Sequence, residues 1–285
     1  MPRYDTISFL SDYGHADEFV GVVKSVIRSI APHASVIDIA HDIPPHDVRA
    51  GGLCLARSAQ YLCPGVVLAV VDPGVGTARR AVALEIGGGQ SVLVGPDNGL
   101  LAPAVSLCGG ADRAVVLSNA DYQLGAPGPT FAGRDVFGPA AAHLCNGVEL
   151  DELGEPIETS ALLPGVLPVT REEQGRLLAE VLWVDRYGNA QLNVDPDELD
   201  SWGDRVRLRW GSDSRVARRA DVYDELTEGE VGLVVDSYGL VSVVLSRGSA
   251  ALALRLDAGA GVTLERVDDD EPNGTTSPVE LRGRG

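Results

Sequence analysis

Two aspartates sit where apolar runs break off. Asp12 follows "TISFLS" and Asp72 follows "GVVLAVV". Each stands beside a glycine-containing turn, "DYGHAD" and "DPGVGTARR". In open α/β sheets, ligands bind beyond the carboxyl ends of the strands. A carboxylate there can accept hydrogen bonds from a sugar diol or orient a water. It can equally cap a turn or the helix that follows. Arg79 and Arg80 lie close behind Asp72, which poses the question of whether the acid works with a cation or only closes a strand. Gly74 and Gly76 let the backbone approach a ligand, because they carry no Cβ. The stretch is neither a Walker loop nor a G-x-G-x-x-G dinucleotide fingerprint, since it lacks the residues that either requires.

Other stretches carry groups able to do chemistry. "PTFAGRDVFGPAAAHL" places Phe131 and Ala132 just before a helix start, with Arg134 and Asp135 set to pair or cap it. His143 lies among alanines and leucines and reads as a core histidine. "VDRYGNAQLN" combines Asp185, Tyr187 and Asn189. An aromatic face beside an amide suits a purine, which the ring stacks and the amide hydrogen-bonds. The same residues also suit a strand–turn–strand corner. "DSYG", residues 236 to 239 with Ser237 and Tyr238, reads first as a turn. His41, Asp42 and His46 in "AHDIPPHD" raise a metal, although the double proline works against a preformed ligand set. Asp12, Asp17, Asp97 and Asn98 could supply the oxygen ligands that Mg²⁺ prefers, which would make a metal-dependent phosphohydrolase.

The elements that must position these groups alternate in the first half. "TISFL", "SVIDIAHD", "GVVLAVVD", "AVALEI", "SVLVG" and "AVVLS" read as strands. "DEFVGVVKSVIRSIAP" and "VRAGGLCLARSAQYL" read as helices, the first stopped by Pro32, and "DVFGPAAAHLCNG" as a helix closed by Gly147. The expectation is an α/β N-terminal domain over residues 1–162 with a central, mostly parallel sheet. A proline-containing linker is expected at 163–175. Short strand candidates separated by Gly, Asp and Ser turns predict a smaller all-β, barrel-like C-terminal domain at 176–267. The polar tail 268–285 is expected to be disordered.

Composition excludes some partners. The 285 residues carry 41 acids against 23 bases, a formal net charge of −18, so nucleic acid finds no basic face. Lys24 is the only lysine. Every apolar run is broken well short of membrane-spanning length, so no membrane partner is expected. The N-terminal "MPRYDTISFL" has no basic-then-apolar leader, which predicts a cytoplasmic protein. Cys54, Cys63, Cys108 and Cys145 form no C-x-x-C pair, and Cys54 and Cys145 read as buried free thiols.

Taken together, "FLSDYGHADEFVG", "IDIAHDIPPHDVRAG", "VVDPGVGTARR", "VGPDNGLL", "TFAGRDVFGPAAAHL", "VDRYGNAQLN" and "DSYG" run in the order found in the S-adenosylmethionine hydroxide adenosyltransferases. The sequence resembles that family, which is related to the fluorinase and chlorinase that attack the same substrate with halide. The resemblance implies an α/β domain followed by a small β domain. It implies hydrolysis of S-adenosyl-L-methionine to adenosine and L-methionine, with no cofactor, in a homotrimer whose site lies between subunits. On the matching positions, Asp72 and Arg79 are the catalytic acid and cation. Asp12 grips the ribose hydroxyls, and Tyr187 and Asn189 contact the adenine. Asp185, Ser237, Asp17 and Tyr238 hold the methionine part, and Phe131 belongs to the substrate-binding set. One departure stands out: the family pattern "TFHGRD" reads "TFAGRD" here, so Ala132 replaces the catalytic His. That loss implies an impaired hydrolase. It leaves a non-catalytic S-adenosylmethionine or adenosine binder as the rival from another class.

Overall fold

The computed structural model describes residues 3–267, so the tail read as disordered, 268–285, lies outside the described residues. The chain divides into two compact units, Met1–Leu167 and Pro168–Gly285.

The first unit contains strands β1 (Thr6–Ser11), β2 (Ser35–Ala40), β3 (Val66–Val70), β4 (Ala81–Ile86), β5 (Ser91–Pro96), β6 (Arg113–Val116) and β7 (Glu155–Ile157). Its helices are α1 (Phe19–Ile30), α2 (Val48–Ala59), α3 (Ala102–Leu107) and α4 (Gly138–Cys145). The seven strands form one sheet in the order β2-β1-β3-β5-β4-β6-β7. It is mixed rather than mostly parallel. The three pairings β2–β1, β1–β3 and β3–β5 are parallel, and the three from β5 through β4 and β6 to β7 are antiparallel. The switch comes at β4–β5, where a turn over Gly87–Gln90 is too short for a parallel crossover.

Helices cover both faces. Val20, Val23 and Ile27 of α1 pack with Ala140, Ala141 and Leu144 of α4 on one face, and Leu55 of α2 and Ala104 of α3 lie on the other. All five residues of β3 are therefore buried, the expected fate of a parallel strand covered on both sides. α1 presents its apolar residues at helical spacing. α2 starts at Asp47, whose carboxylate accepts from the Ala50 N–H at 2.8 Å. A Cβ on Gly51 would come within 2.9 Å of Val71, so this glycine lets α2 press against the end of β3.

The second unit contains β8 (Arg171–Glu173), β9 (Arg176–Val184), β10 (Ala190–Leu192), β11 (Arg205–Trp210), β12 (Asp213–Arg219), β13 (Val231–Val235), β14 (Val241–Leu245), helix α5 (Ala250–Leu254) and β15 (Gly261–Arg266). β10 pairs with both β14 and β9, which closes seven strands into a barrel. Val181, Leu192, Val206, Leu208, Val243 and Leu264 pack in its core. β8 lies inside the stretch read as a linker. Gln174 and Gly175, both with positive φ, make the two-residue turn that pairs β8 with β9. The expected fold class, an α/β unit plus a β-barrel, holds in both halves.

Candidate active site

β1 and β3 are adjacent and parallel, with Ser11 opposite Val70. Their carboxyl ends therefore leave the sheet side by side, and the Asp12 N–H donates to the Val70 carbonyl at 3.3 Å. Asp12 and Asp72 emerge from this shared edge. Arg79 turns back on Asp72 with its guanidinium fork: Nε donates to one carboxylate oxygen at 2.8 Å and an Nη donates to the other. The pair is well covered, with side chains 5% (Asp72) and 15% (Arg79) exposed. The Arg79 guanidinium also lies 5.0 Å over the Phe137 ring. The strand end thus carries an acid locked to a cation.

Arg80, the other candidate, pairs instead with Asp97, Nε to Oδ2 at 2.8 Å. Asp97 also accepts from the Leu163 N–H at 2.8 Å. This use of Asp97 removes it from a metal set, and among the described residues no three His, Cys, Asp or Glu side chains group as a metal would require. Asp17 lies on the exposed bend between β1 and α1.

The end of β1 is held by a hydrogen-bond chain that sequence spacing does not show. The Ser11 Oγ is 2.7 Å from Nδ1 of buried His41, and the His41 Nε2 is 3.0 Å from the Asp38 carboxylate. Asp38 also pairs with Lys24 at 2.6 Å. Ser11 in turn accepts from the Tyr13 N–H at 3.3 Å. Burial pushes the His41 pKa down, partly opposed by Asp38. The neutral ring accepts from Ser11 and donates to Asp38. On the other side, the His46 N–H donates to Asp12 at 2.9 Å, from a backbone with φ 68°. His46 reaches that carboxylate only by adopting a left-handed conformation unusual outside glycine.

Because His41 binds its proton less readily folded than unfolded, its contribution to stability is full above the unfolded pKa near 6.5 and is lost as pH falls below it. Stability is therefore expected to drop more steeply between pH 7 and pH 5 in the natural protein than in His41→Gln. Urea unfolding across that range would show it, and equal slopes would remove the role.

The segment before α4 closes the site. Gly133–Phe137 forms a single π-helical turn that runs into α4, with Ala132 at its N-cap. Such turns are frequent at functional sites. Phe131, Tyr13 and Phe19 pack edge-on or tilted at 4.9–5.7 Å between ring centroids. Gly76 of the Asp72–Arg79 turn lies against the Pro129 carbonyl. Asp12, Asp72, Arg79, Phe131 and Ala132 thus belong to one region of the first unit. Arg134 and Asp135 pair side by side at 2.6 and 3.0 Å, a structural role. His143 is half-buried, edge-on to Tyr122 at 5.0 Å. The four cysteines are free; Cys145 is buried and Cys54 partly so.

In the second unit, two turns share one construction. Asp185 Oδ1 accepts from the Tyr187 and Asn189 N–H groups, both at 2.8 Å, and its Oδ2 accepts from the Asn189 amide at 2.8 Å. Asp236 Oδ1 accepts from the Tyr238 and Leu240 N–H groups at 2.9 and 3.3 Å. Its Oδ2 takes the Gln191 amide at 2.6 Å and the Ser242 hydroxyl at 2.9 Å. Gly188 and Gly239 adopt φ of 84° and 83° and complete the turns. Both aspartates organise backbone, and what they display is Tyr187, 79% exposed, together with the exposed Ser237 and Tyr238. Asp185, Tyr187 and Asn189 line a cavity of about 1040 Å³ with Tyr223 and Arg247. Burial raises the Tyr223 pKa, and Asp185 and Asp236 raise it further.

Fold and site together define a class: an α/β enzyme with an acid–arginine pair at the carboxyl edge of parallel strands, followed by a barrel whose turns present aromatic and amide groups. Comparison with known proteins then places the chain. The SAM hydroxide adenosyltransferase N-terminal domain matches residues 7–154 and the C-terminal domain of the same name matches 179–263, so the chain belongs to that family. An (R)-S-adenosyl-L-methionine hydrolase of Salinispora arenicola is 45% identical over 253 residues, 89% of this chain and 95% of the relative. One from Thermus thermophilus is 43% identical over 272 residues, 90% of this chain and 98% of the relative. A crystal structure of an uncharacterized conserved protein from Thermotoga maritima superposes with a TM-score of 0.85 at 32% identity, covering 91% of this chain and all of the other.

Proposed function

We propose that this protein hydrolyses S-adenosyl-L-methionine to adenosine and L-methionine. The observation that carries the reading is the Asp72–Arg79 pair at the shared edge of β1 and β3, beside Asp12. Family membership and the hydrolases at 43–45% identity support the substrate. A water oxygen attacks the ribose 5′ carbon as the C–S bond breaks. The electron pair of that bond goes to sulfur, which becomes the neutral thioether of methionine, and the water gives up one proton. A sulfonium is already a good leaving group, so the reaction needs neither acid nor metal. The protein's task is to align the water with the C–S bond.

In this reading Asp72 holds the water and accepts its proton, while Arg79 fixes the carboxylate. Asp12 and Asp17 act on the ribose and methionine side, and Phe131 borders the reacting centre. Tyr187 and Asn189 take the adenine, and Asp185, Ser237 and Tyr238 take the methionine part. A negative carboxylate at position 72 also disfavours chloride or fluoride in a poorly hydrated site. A cytoplasmic homotrimer with sites between subunits completes the proposal. Among the described residues no helix is long and apolar enough to cross a membrane.

Incubation with S-adenosylmethionine, followed by chromatography, is expected to give adenosine and methionine in equal amounts, with or without a chelator. Added chloride should yield no 5′-chloro-5′-deoxyadenosine. A nucleoside that binds and is recovered unchanged would favour the non-catalytic rival.

A further inference from the structure

By the resemblance described above, position 132 is where the family carries an imidazole, and this chain offers only a methyl group there. The neighbouring residues bring one polar side chain close to that position. Tyr13 follows Asp12 directly, and its ring packs at 5.6 Å edge-on to Phe131, the residue before Ala132. Its hydroxyl comes up against Gly133, the residue after Ala132, so closely that any Cβ on Gly133 would overlap the phenol oxygen. A side chain at 133 would force the phenol to shift. Tyr13 therefore reaches across the loop that bears Ala132 and ends beside it.

We propose that the Tyr13 phenol, in place of the missing imidazole, is the third polar group around the attacking water. This rests on the hydrolase reading above. The bonding of the phenol fits the role. The Gly133 backbone beside the phenol oxygen favours the charged form of the phenol. Gly133 opens its helical turn, where N–H groups have no intrahelical partner. A phenol offers one donor and two acceptor sites. Even if the Gly133 N–H takes one lone pair, the other lone pair and the O–H are left for water and a carboxylate. Burial above all, then the charges of Asp12 and Asp72, push the Tyr13 pKa upward, while Arg79 pulls it down. The phenol consequently stays neutral at neutral pH and responds to the very pair that holds the water. It can align the water, whose proton passes to Asp72; it cannot itself take that proton.

The test is a set of four proteins: the chain with Ala132, Tyr13→Phe, Ala132→His, and the double variant. Tyr13→Phe keeps the ring contacts and removes only the hydroxyl. The expected result is a kcat for adenosine formation lowered about tenfold or more in Tyr13→Phe, with KM changed less than about twofold. In the Ala132→His background the same substitution should cost much less, because the imidazole then occupies the place. An unchanged kcat in Tyr13→Phe, or an equal cost in both backgrounds, would overturn the proposal. So would turnover by Ala132→His together with none by the chain with Ala132. If neither forms adenosine while circular dichroism shows both folded, the hydrolase reading itself has failed.

Discussion

Ala132→His is expected to raise the rate of adenosine formation about a hundredfold, with little change in KM. The substituted position is the N-cap of the π-turn, next to the residue that meets the Tyr13 hydroxyl and near the Arg79–Phe137 stack. An imidazole there would be neutral near pH 7 and able to accept a proton, which a phenol of raised pKa does not do. A positioned acid or base is worth about 10²–10⁴ in rate. The lower end applies, because Tyr13 already supplies part of the alignment. Single-turnover measurements with excess enzyme would isolate the chemical step from product release. The gain should follow the deprotonation of one group with a pKa in the histidine range. A variant no faster than the chain with Ala132 would show that position 132 does not face the reacting centre.

Asp72→Asn should have the largest effect in the opposite direction. The neutral amide accepts a hydrogen bond but takes no proton from the water, and turnover should fall about a thousandfold. It also strands a guanidinium. Arg79 is 15% exposed and its fork is matched to two carboxylate oxygens. Breaking a buried pair costs about 3–5 kcal/mol, and the loss here should lie at the low end because the amide oxygen still accepts one N–H. A thermal melt and a turnover assay on the same preparation would separate the two effects. The variant also removes the negative charge that repels halide. In molar chloride, the chlorinated nucleoside should become detectable relative to adenosine. A variant with near-natural turnover would mean that the water is held elsewhere.

Much of this could be read before any coordinates, for physical reasons. Strands such as "GVVLAVVD" are buried on both faces and therefore continuous in apolar residues, which makes them plain in sequence. Asp12 and Asp72 stood out because they end such runs. Strand order was less accessible: the antiparallel half of the first sheet follows from short connections, and β7 (Glu155–Ile157) has too few residues to show a period. β8 escaped notice because "REE" is fully exposed and is held by its pairing with β9. The helix expected at "DVFGPAAAHLCNG" is present, but its first turn is π-helical, a difference of one residue that apolar spacing does not resolve. The Ser11–His41–Asp38 chain joins residues up to 30 positions apart and became visible only when β1 and β2 were paired. Tyr13 could have been suspected from its place beside Asp12. Its contact with Gly133, 120 residues along the chain, could not.

The π-helical turn at Gly133–Phe137 has one more consequence. An α-helix advances about 100° per residue, so one surplus residue at the start rotates everything upstream by about that angle relative to α4. α4 is anchored by Ala140, Ala141 and Leu144 in the core and cannot turn to compensate. The surplus residue therefore works as an azimuth setting. It selects the compass bearing at which the side chain of residue 132 leaves the helix, whichever amino acid occupies that place.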